Sequence, residues 1–322
     1  MKAIVQDTYG SADVLELRDI AKPEIGDEEV LIRVHAAGLD RGVWHLMTGR
    51  PYLLRVIGFG LRAPKVLVRG AEVAGRVEEI GNEVTRFQPG DEVYGVAKGS
   101  FAEFASARED KLALKPANLS FEQAAAFPIS ASTALQALRL GEVKAGDKVL
   151  IIGASGGVGT FAVQLAKAFG AEVTGVSSTT KMEMVRSIGA DHVIDYSRDD
   201  FADGKKTYDL ILDIGGNRSL SHLRRALTPR GILVIIGGET GGRWTGGFGR
   251  SLRAPMKSLF MRQKLRSLAS KERAEFLDVL TELIEAGKVT PVIDRTYPLS
   301  EAPKAIRYLE EGHVQGKVVI TV

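Results

Sequence analysis

The stretch Lys148-Val149-Leu150-Ile151-Ile152-Gly153-Ala154-Ser155-Gly156-Gly157-Val158-Gly159 decides how this chain folds. Four apolar residues in a row suit a strand covered on both faces, as in a parallel sheet. The small residues that follow make a sharp turn. Val158, Phe161, Ala162, Leu165 and Phe169 then recur at helical spacing, and Gly170 closes the helix. Ala154-x-Gly156-x-x-Gly159 is the dinucleotide fingerprint with alanine in its first position. The turn must be tight, the backbone must approach a pyrophosphate, and helix must pack closely on strand, so each place demands a small residue. A helix N-terminus adds favourable partial positive charge. A lone fingerprint is weak evidence; one lying between a buried strand and an amphipathic helix is strong.

Downstream, strand and helix keep alternating. Glu172-Val173-Thr174-Gly175-Val176 is expected as a second strand, His192-Val193-Ile194-Asp195-Tyr196 as a third, Asp209-Leu210-Ile211-Leu212-Asp213 as a fourth and Ile232-Leu233-Val234-Ile235-Ile236 as a fifth. Helices are expected over residues 182–188 and 219–227. Such alternation implies a parallel sheet with right-handed crossovers. Upstream, Ala3-Ile4-Val5-Gln6, Glu29 to Val34, Val73 to Ile80 and Phe87 to Tyr94 are short runs punctuated by Gly and Pro, which suggests a barrel-like β domain. The character changes near Leu119, where Ser120 and Gln123 fit a capping box. A late helix is expected over residues 271–286. The tail Gly316-Lys317-Val318-Val319-Ile320-Thr321-Val322 is again strand-like and is expected to rejoin the β domain. No fold is assigned from residue 239 to about residue 264.

The second strand's end bears on the cofactor. NAD-selective sites place a carboxylate there for the ribose hydroxyls. Here it reads Ser177-Ser178-Thr179-Thr180-Lys181, with hydroxyls and one cation suited to a 2′-phosphate, so NADPH is expected. The same residues also read as a helix N-cap cluster with a surface lysine. Arg198 is a weaker phosphate candidate.

Bulk properties bound the rest. The chain has 322 residues, 44% hydrophobic and 26% charged, with a formal charge of +3. Those values suit a soluble globular protein of two domains, and the charge is too small to suggest nucleic acid as primary partner. The chain has no cysteine, so disulfides, thiolate metal sites and cysteine nucleophiles are excluded. No basic leader with an apolar run and no long apolar stretch is seen, so a cytoplasmic protein without a membrane span is expected.

Together these residues resemble the zinc-free medium-chain dehydrogenase/reductases of the quinone oxidoreductase type. The carriers are Ala36-Ala37-Gly38-Leu39-Asp40, Gly70-Ala71-Glu72-Val73-Ala74-Gly75, Pro89-Gly90-Asp91-Glu92-Val93, Thr133-Ala134-Leu135, the turn Ala154 to Gly159, Gly189-Ala190-Asp191 and Gly316-Lys317. The resemblance implies an α/β chain: a discontinuous GroES-like β-barrel catalytic domain (residues 1–118 and 268–322) and a Rossmann domain with a doubly wound parallel sheet (residues 119–267). Zinc-dependent members carry ligands where this chain has Asp40 and Ala71. The resemblance places NADPH on Thr133, Ala154, Ser155, Gly156, Gly157, Val158, Gly159, Ser177, Ser178, Lys181, Tyr196, Gly237, Gly238 and Lys317.

Without a Lewis acid an alkoxide lacks stabilisation, whereas a quinone or enone needs only hydrogen bonds and a proton once hydride has added. Tyr52 is the first choice of donor, His45 the second, and Asp40 lies in the same segment with an undefined role; Trp44 is expected as an apolar wall. The basic, apolar stretches Arg50 to Arg69 (Arg55, Arg62 and Lys65 between) and Arg243 to Lys257 (Trp244, Phe248, Arg250 and Arg253) read either as a rim for a substrate with an anionic tail or as solvated loops. The first keeps an enoyl-thioester reductase open; a weakly catalytic NADPH-binding sensor or partner protein is a further alternative. A homodimer is expected if the polar run Lys264–Ser267 forms an edge strand.

Overall fold

A computed structural model describes residues 1–238, 242–258 and 261–322. The chain divides into two compact units. The first holds Met1–Ser132, Glu272–Gly287 and Pro291–Val322, and the second Thr133–Lys271 with Lys288–Thr290.

In the second unit six strands form one parallel sheet. They are Lys148–Ile152, Glu172–Ser177, His192–Asp195, Tyr208–Asp213, Leu227–Ile235 and Lys264–Ser267. In order along the chain they stand 3-2-1-4-5-6 across the sheet, the Rossmann arrangement. The first, central strand is buried from Val149 to Ile152, which is why its sequence shows no alternation. Leu150, Ile152, Ile211, Leu223, Leu233 and Ile235 belong to one apolar cluster. Helix Gly157–Ala168 buries Phe161, Ala162 and Leu165. It ends where Gly170 takes a positive φ of 82° and Ala171 N–H returns to Ala166 O at 3.0 Å.

The first unit is built around Glu29–Leu39, an eleven-residue strand. Three strands pair antiparallel with it: Glu72–Ile80, Phe104–Arg108 and Lys317–Thr321. The C-terminal strand therefore does rejoin the β domain. It also carries Ile293–Pro298 in parallel on its other side. Val30, Ile32, Val34, Val73, Val77, Val93 and Leu112 fill the interior on one side. Ile4, Leu39, Met47, Phe101, Ile306 and Ile320 fill it on another.

Three details depart from the sequence reading. The units part inside the helix Pro128–Leu140, between Ser132 and Thr133, rather than at 118/119. The reason is that Phe121–Ala125, opened by its Ser120/Gln123 capping box, packs on strands of the first unit. The return lies at 271/272 rather than 267/268. Residues 288–290 then revert to the second unit, because the Gln164 amide both donates to Thr290 O and accepts from Thr290 N–H, at 2.9 Å each. Second, Arg41–Thr48, within a region expected as strands and turns, is a helix. Third, part of the unassigned stretch is the helix Phe248–Ser258, while residues 239–241 and 259–260 lie outside the described residues.

The late helix Ala274–Glu285 is attached to the β domain by polar contacts as well as packing. The buried Tyr94 hydroxyl donates to Leu277 O at 3.0 Å and meets Thr281 Oγ1 at 3.0 Å. Asn118 Nδ2 donates to Ile284 O at 3.0 Å. A buried neutral hydrogen bond contributes about 1 kcal/mol net. Tyr94→Phe keeps the ring and removes the hydroxyl, so urea denaturation should show a loss of about 1 kcal/mol with an unchanged m-value.

Candidate active site

The dinucleotide turn has the geometry its residues suggest. Gly153 sits at φ +88°, a left-handed conformation that a side chain resists. A side-chain carbon at Gly159 would collide with Gly153 O and the Ala154 backbone, so glycine alone lets the helix lie this close to the strand. At Gly156 the nearest atom to an added carbon would be 3.6 Å away, leaving room in front of the turn. Thr160 N–H donates to Gly156 O at 2.9 Å, so the N–H groups of Gly157, Val158 and Gly159 come before the first donor of the helical ladder. Three donors, a helix dipole and open space fit a pyrophosphate. Ala154 and Ser155 are buried within the turn.

At the sheet's C-terminal edge Ser178 is half-buried and Tyr196 is 50% exposed. Lys181 is half-buried on the short turn Thr179–Lys181. Ser177 is buried, its hydroxyl donating to Ser178 O at 3.3 Å. A carboxylate that sequence reasoning passed over, Asp195, stands opposite Ser177 in the neighbouring strand. It accepts from Thr179 Oγ1, from Ser197 N–H at 3.0 Å and from Ser197 Oγ at 2.7 Å, with Arg198 at 3.7 Å. Those bonds hold its carboxyl below the usual range. Its lone pairs are engaged, so it is not a free ribose acceptor, and Arg198 is paired with it.

Gly237 and Gly238 follow the fifth strand. A side chain at Gly237 would strike Ile214 O, and one at Gly238 would meet the backbone of Gly247. Beside them, Asp213 ends the fourth strand fully buried, paired with Arg250 and accepting from Gly216 N–H at 3.1 Å. Burial raises its carboxyl, with Arg250 pulling it back. Thr133 meets Ser270 Oγ at 3.2 Å.

In the first unit the named donors lie on one short segment of chain, from Asp40 to Tyr52. Arg55 lies between the rings of Tyr9 (4.2 Å) and Tyr52 (4.8 Å) and donates to Gly49 O at 2.9 Å and Thr48 O at 3.0 Å. Tyr52 is thus held by a cation over its face. His45 Nδ1 lies 2.7 Å from Arg50 O. A carbonyl only accepts, so Nδ1 carries the proton and Nε2 of a neutral ring has a lone pair rather than a hydrogen. Trp44 lies edge-on to His45, with its indole N–H on Glu310 at 2.5 Å. Asp40 caps the helix Arg41–Thr48 by accepting from Val43 N–H at 3.1 Å.

Sequence reasoning missed the strongest feature here. Lys317, grouped with the cofactor residues, is 2% exposed; it is paired with the fully buried Glu72 and donates to Ser130 Oγ at 3.2 Å. Its ammonium is therefore committed inside the protein. Glu72 also accepts from Ile129 N–H at 2.9 Å. Burial pushes the Glu72 carboxyl up to about 7, opposed by Lys317 and reinforced by the charge of Asp40. The two lie 245 positions apart, so no local pattern could pair them. Zinc does not fit this place: Ala71 has no ligand atom, the chain has no cysteine, and among the described residues no three His, Cys, Asp or Glu are grouped to hold a metal.

The comparisons agree with this architecture. The family models described as alcohol dehydrogenase GroES-like domain and zinc-binding dehydrogenase match residues 26–117 and 188–320. The chain is 35% identical to the 2-methylene-furan-3-one reductase of Solanum lycopersicum over 99% of its length and 79% of that protein's. It is equally similar, with the same coverage, to the NADPH-dependent alkenal/one oxidoreductase, chloroplastic, of Arabidopsis thaliana. The solved quinone oxidoreductase from Coxiella burnetii superposes with a TM-score of 0.89 at 32% identity, covering 100% of this chain and 99% of that one. The chain belongs to the medium-chain dehydrogenase/reductases, in their quinone oxidoreductase-like group.

Two outcomes are expected for the buried pair. Lys317→Met leaves Glu72 buried without its cation and should cost about 3–5 kcal/mol in urea denaturation. Glu72→Gln should change the pH dependence. A carboxyl raised in the folded state contributes stability that is complete below its unfolded value near 4.5 and is lost as pH rises through about 7. The stability of the parent relative to Glu72→Gln should therefore fall between pH 5 and 7 and level off above.

Proposed function

We propose that this protein binds NADPH at the turn from Gly153 to Gly159 and reduces quinones or enones without zinc. The observation that carries the reading is the pairing of an open, donor-lined helix start with a second-strand end that bears hydroxyls and Lys181, while the carboxylate registered against it in the next strand, Asp195, is already satisfied. That combination favours a 2′-phosphate over a free ribose diol. The names of the similar proteins, an alkenal/one reductase, a furanone reductase and a quinone oxidoreductase, support the same substrate class.

Bound NADPH would supply the hydride. The N–H groups of Gly157, Val158 and Gly159 would hold its pyrophosphate, and Ser178, Lys181 and Tyr196 its 2′-phosphate. Ser177, with its buried hydroxyl turned to Ser178 O, shapes that pocket through the backbone. Thr133 would serve the nicotinamide ribose, and Gly237 and Gly238 would leave room for the carboxamide. When hydride reaches a quinone or the β-carbon of an enone, negative charge collects on the carbonyl oxygen. A hydrogen bond and a proton are all it requires. Tyr52 is the donor: its phenol carries a hydrogen, and Arg55 over its ring fixes its orientation. His45 turns Nδ1 to Arg50 O, which directs that nitrogen to the backbone, so His45 stands second to Tyr52 as a donor. Asp40 contributes by capping the helix that carries His45. The edge strand Lys264–Ser267 supports a homodimer by strand addition.

Fluorescence titration with both reduced nicotinamides tests the cofactor assignment. The parent should bind NADPH more tightly, and Lys181→Ala should weaken NADPH about tenfold while leaving NADH unchanged. Tighter binding of NADH by the parent would overturn it. Tyr52→Phe should lower kcat for an enone about 10²-fold or more with little change in NADPH affinity; undiminished turnover would remove Tyr52 from the chemistry.

A further inference from the structure

Acidic and basic residues are distributed unevenly along this chain. No Asp or Glu occurs from residue 41 to residue 71, a stretch with six Arg or Lys. None occurs from residue 240 to residue 271, which carries eight. The whole chain is only +3, so everything outside these two stretches is net −11. One stretch belongs to each unit.

The same stretches expose apolar side chains. Val56, Ile57, Leu61 and Val66 are 64%, 61%, 69% and 56% exposed, and Phe59 and Leu67 are exposed with them. In the second unit Trp244 is 71%, Leu252 72% and Met256 68% exposed. Nine of the thirteen exposed large hydrophobic side chains described thus fall in about a fifth of the chain, which scattered surface leucines and valines would not produce. Leu252 and Met256 are four residues apart on the helix Phe248–Ser258 and share a face, with exposed Arg253 beside them. Arg50, Arg62 and Lys65 are exposed and form no ion pair among the described residues, nor do Arg243 and Arg253.

The wall of a substrate pocket is recessed, whereas these side chains are about two-thirds in solvent. Arg250 of the second stretch is paired with Asp213, and Lys264 and Arg266 with Glu142, but protruding apolar groups with Arg50, Arg62 and Lys65 exposed among them in one stretch, and Arg243 and Arg253 in the other, match a surface that lies on a bilayer. The charge selects an anionic lipid surface, which gathers basic residues before apolar ones enter the headgroup layer. No helix of the described residues is long and apolar enough to cross a membrane, so contact at the surface is the form such binding takes.

We propose that each of the two acid-free stretches is by itself a docking surface for anionic membranes, the exposed apolar side chains at 56–67 in the first unit and at 244–256 in the second entering the headgroup region. On the quinone and enone reading, docking places the protein where apolar substrates partition. The docking does not depend on that reading, since its test needs no turnover.

Co-sedimentation of the whole protein with vesicles of phosphatidylcholine alone, or with a third phosphatidylglycerol, measures it directly. Binding should require the anionic lipid and fall as salt screens the attraction. Arg62→Gln with Lys65→Gln, or Arg253→Gln, should weaken binding about fivefold per cation removed. Val56→Ser with Ile57→Ser, or Leu252→Ser with Met256→Ser, should weaken it while reduction of a water-soluble quinone continues at the parent rate. Loss in either set supports the proposal and shows which stretch dominates. Equal sedimentation with and without anionic lipid, or parent-like binding by every variant, overturns it. A raised KM for the soluble quinone with undiminished vesicle binding also overturns it, and assigns the stretches to a substrate rim.

Discussion

The buried pair of Glu72 and Lys317 is the interaction on which the first unit depends. It links the C-terminal strand to the strand Glu72–Ile80 on the far side of Glu29–Leu39, and through Ile129 N–H and Ser130 Oγ it reaches the start of the helix Pro128–Leu140. Two charges taken from water are tolerated only when each is paired and further hydrogen-bonded. Here Glu72 has a cation and a backbone N–H, and Lys317 has a carboxylate and a hydroxyl. The packing is close enough that a side chain at Gly38 would strike both Glu72 and Ala125 O. The pair thus explains why the last strand of the chain cannot be separated from its first hundred residues.

In the second unit the governing constraint is different. A parallel sheet covered on both faces needs apolar strands, and its C-terminal edge needs glycines wherever backbone must approach a ligand or another backbone. Gly153, Gly159, Gly237 and Gly238 lie along that edge. Asp213 is set among them, its charge balanced by Arg250, so the edge keeps a buried carboxylate without leaving it unpaired. The Arg250 Nε and Nη1 atoms have no partner there.

Much of this was legible in the residue order, and what was missed has identifiable causes. The strand, turn and helix at Lys148 to Ala168 are local: propensity, periodicity and small-residue spacing all act within twenty residues. The helix Arg41–Thr48 was hidden because its residues, RGVWHLMT, include two β-branched residues and a glycine, and its N-cap is the same Asp40 that invited a chemical role. Asp195 escaped notice because its meaning lies in a neighbouring strand's Thr179 and in Ser197. The resemblance assigns Lys317 to the cofactor, and only the fold brings the distant Glu72 carboxylate against it.

By itself the sequence determined the fold class, the order of strands and helices in the second unit, the dinucleotide turn, and the lack of thiolate chemistry. Each follows from interactions between residues near one another along the chain, or from composition. Tertiary structure alone decided which charges are free. It buried Lys317 against Glu72, satisfied Asp195, fixed the proton of His45 on Nδ1 and left the apolar side chains at 56–67 in solvent. The physical reason is that burial and electrostatic partnership belong to space rather than to sequence: a charge 245 residues away is absent from any local pattern, and in the folded chain it determines what a side chain does.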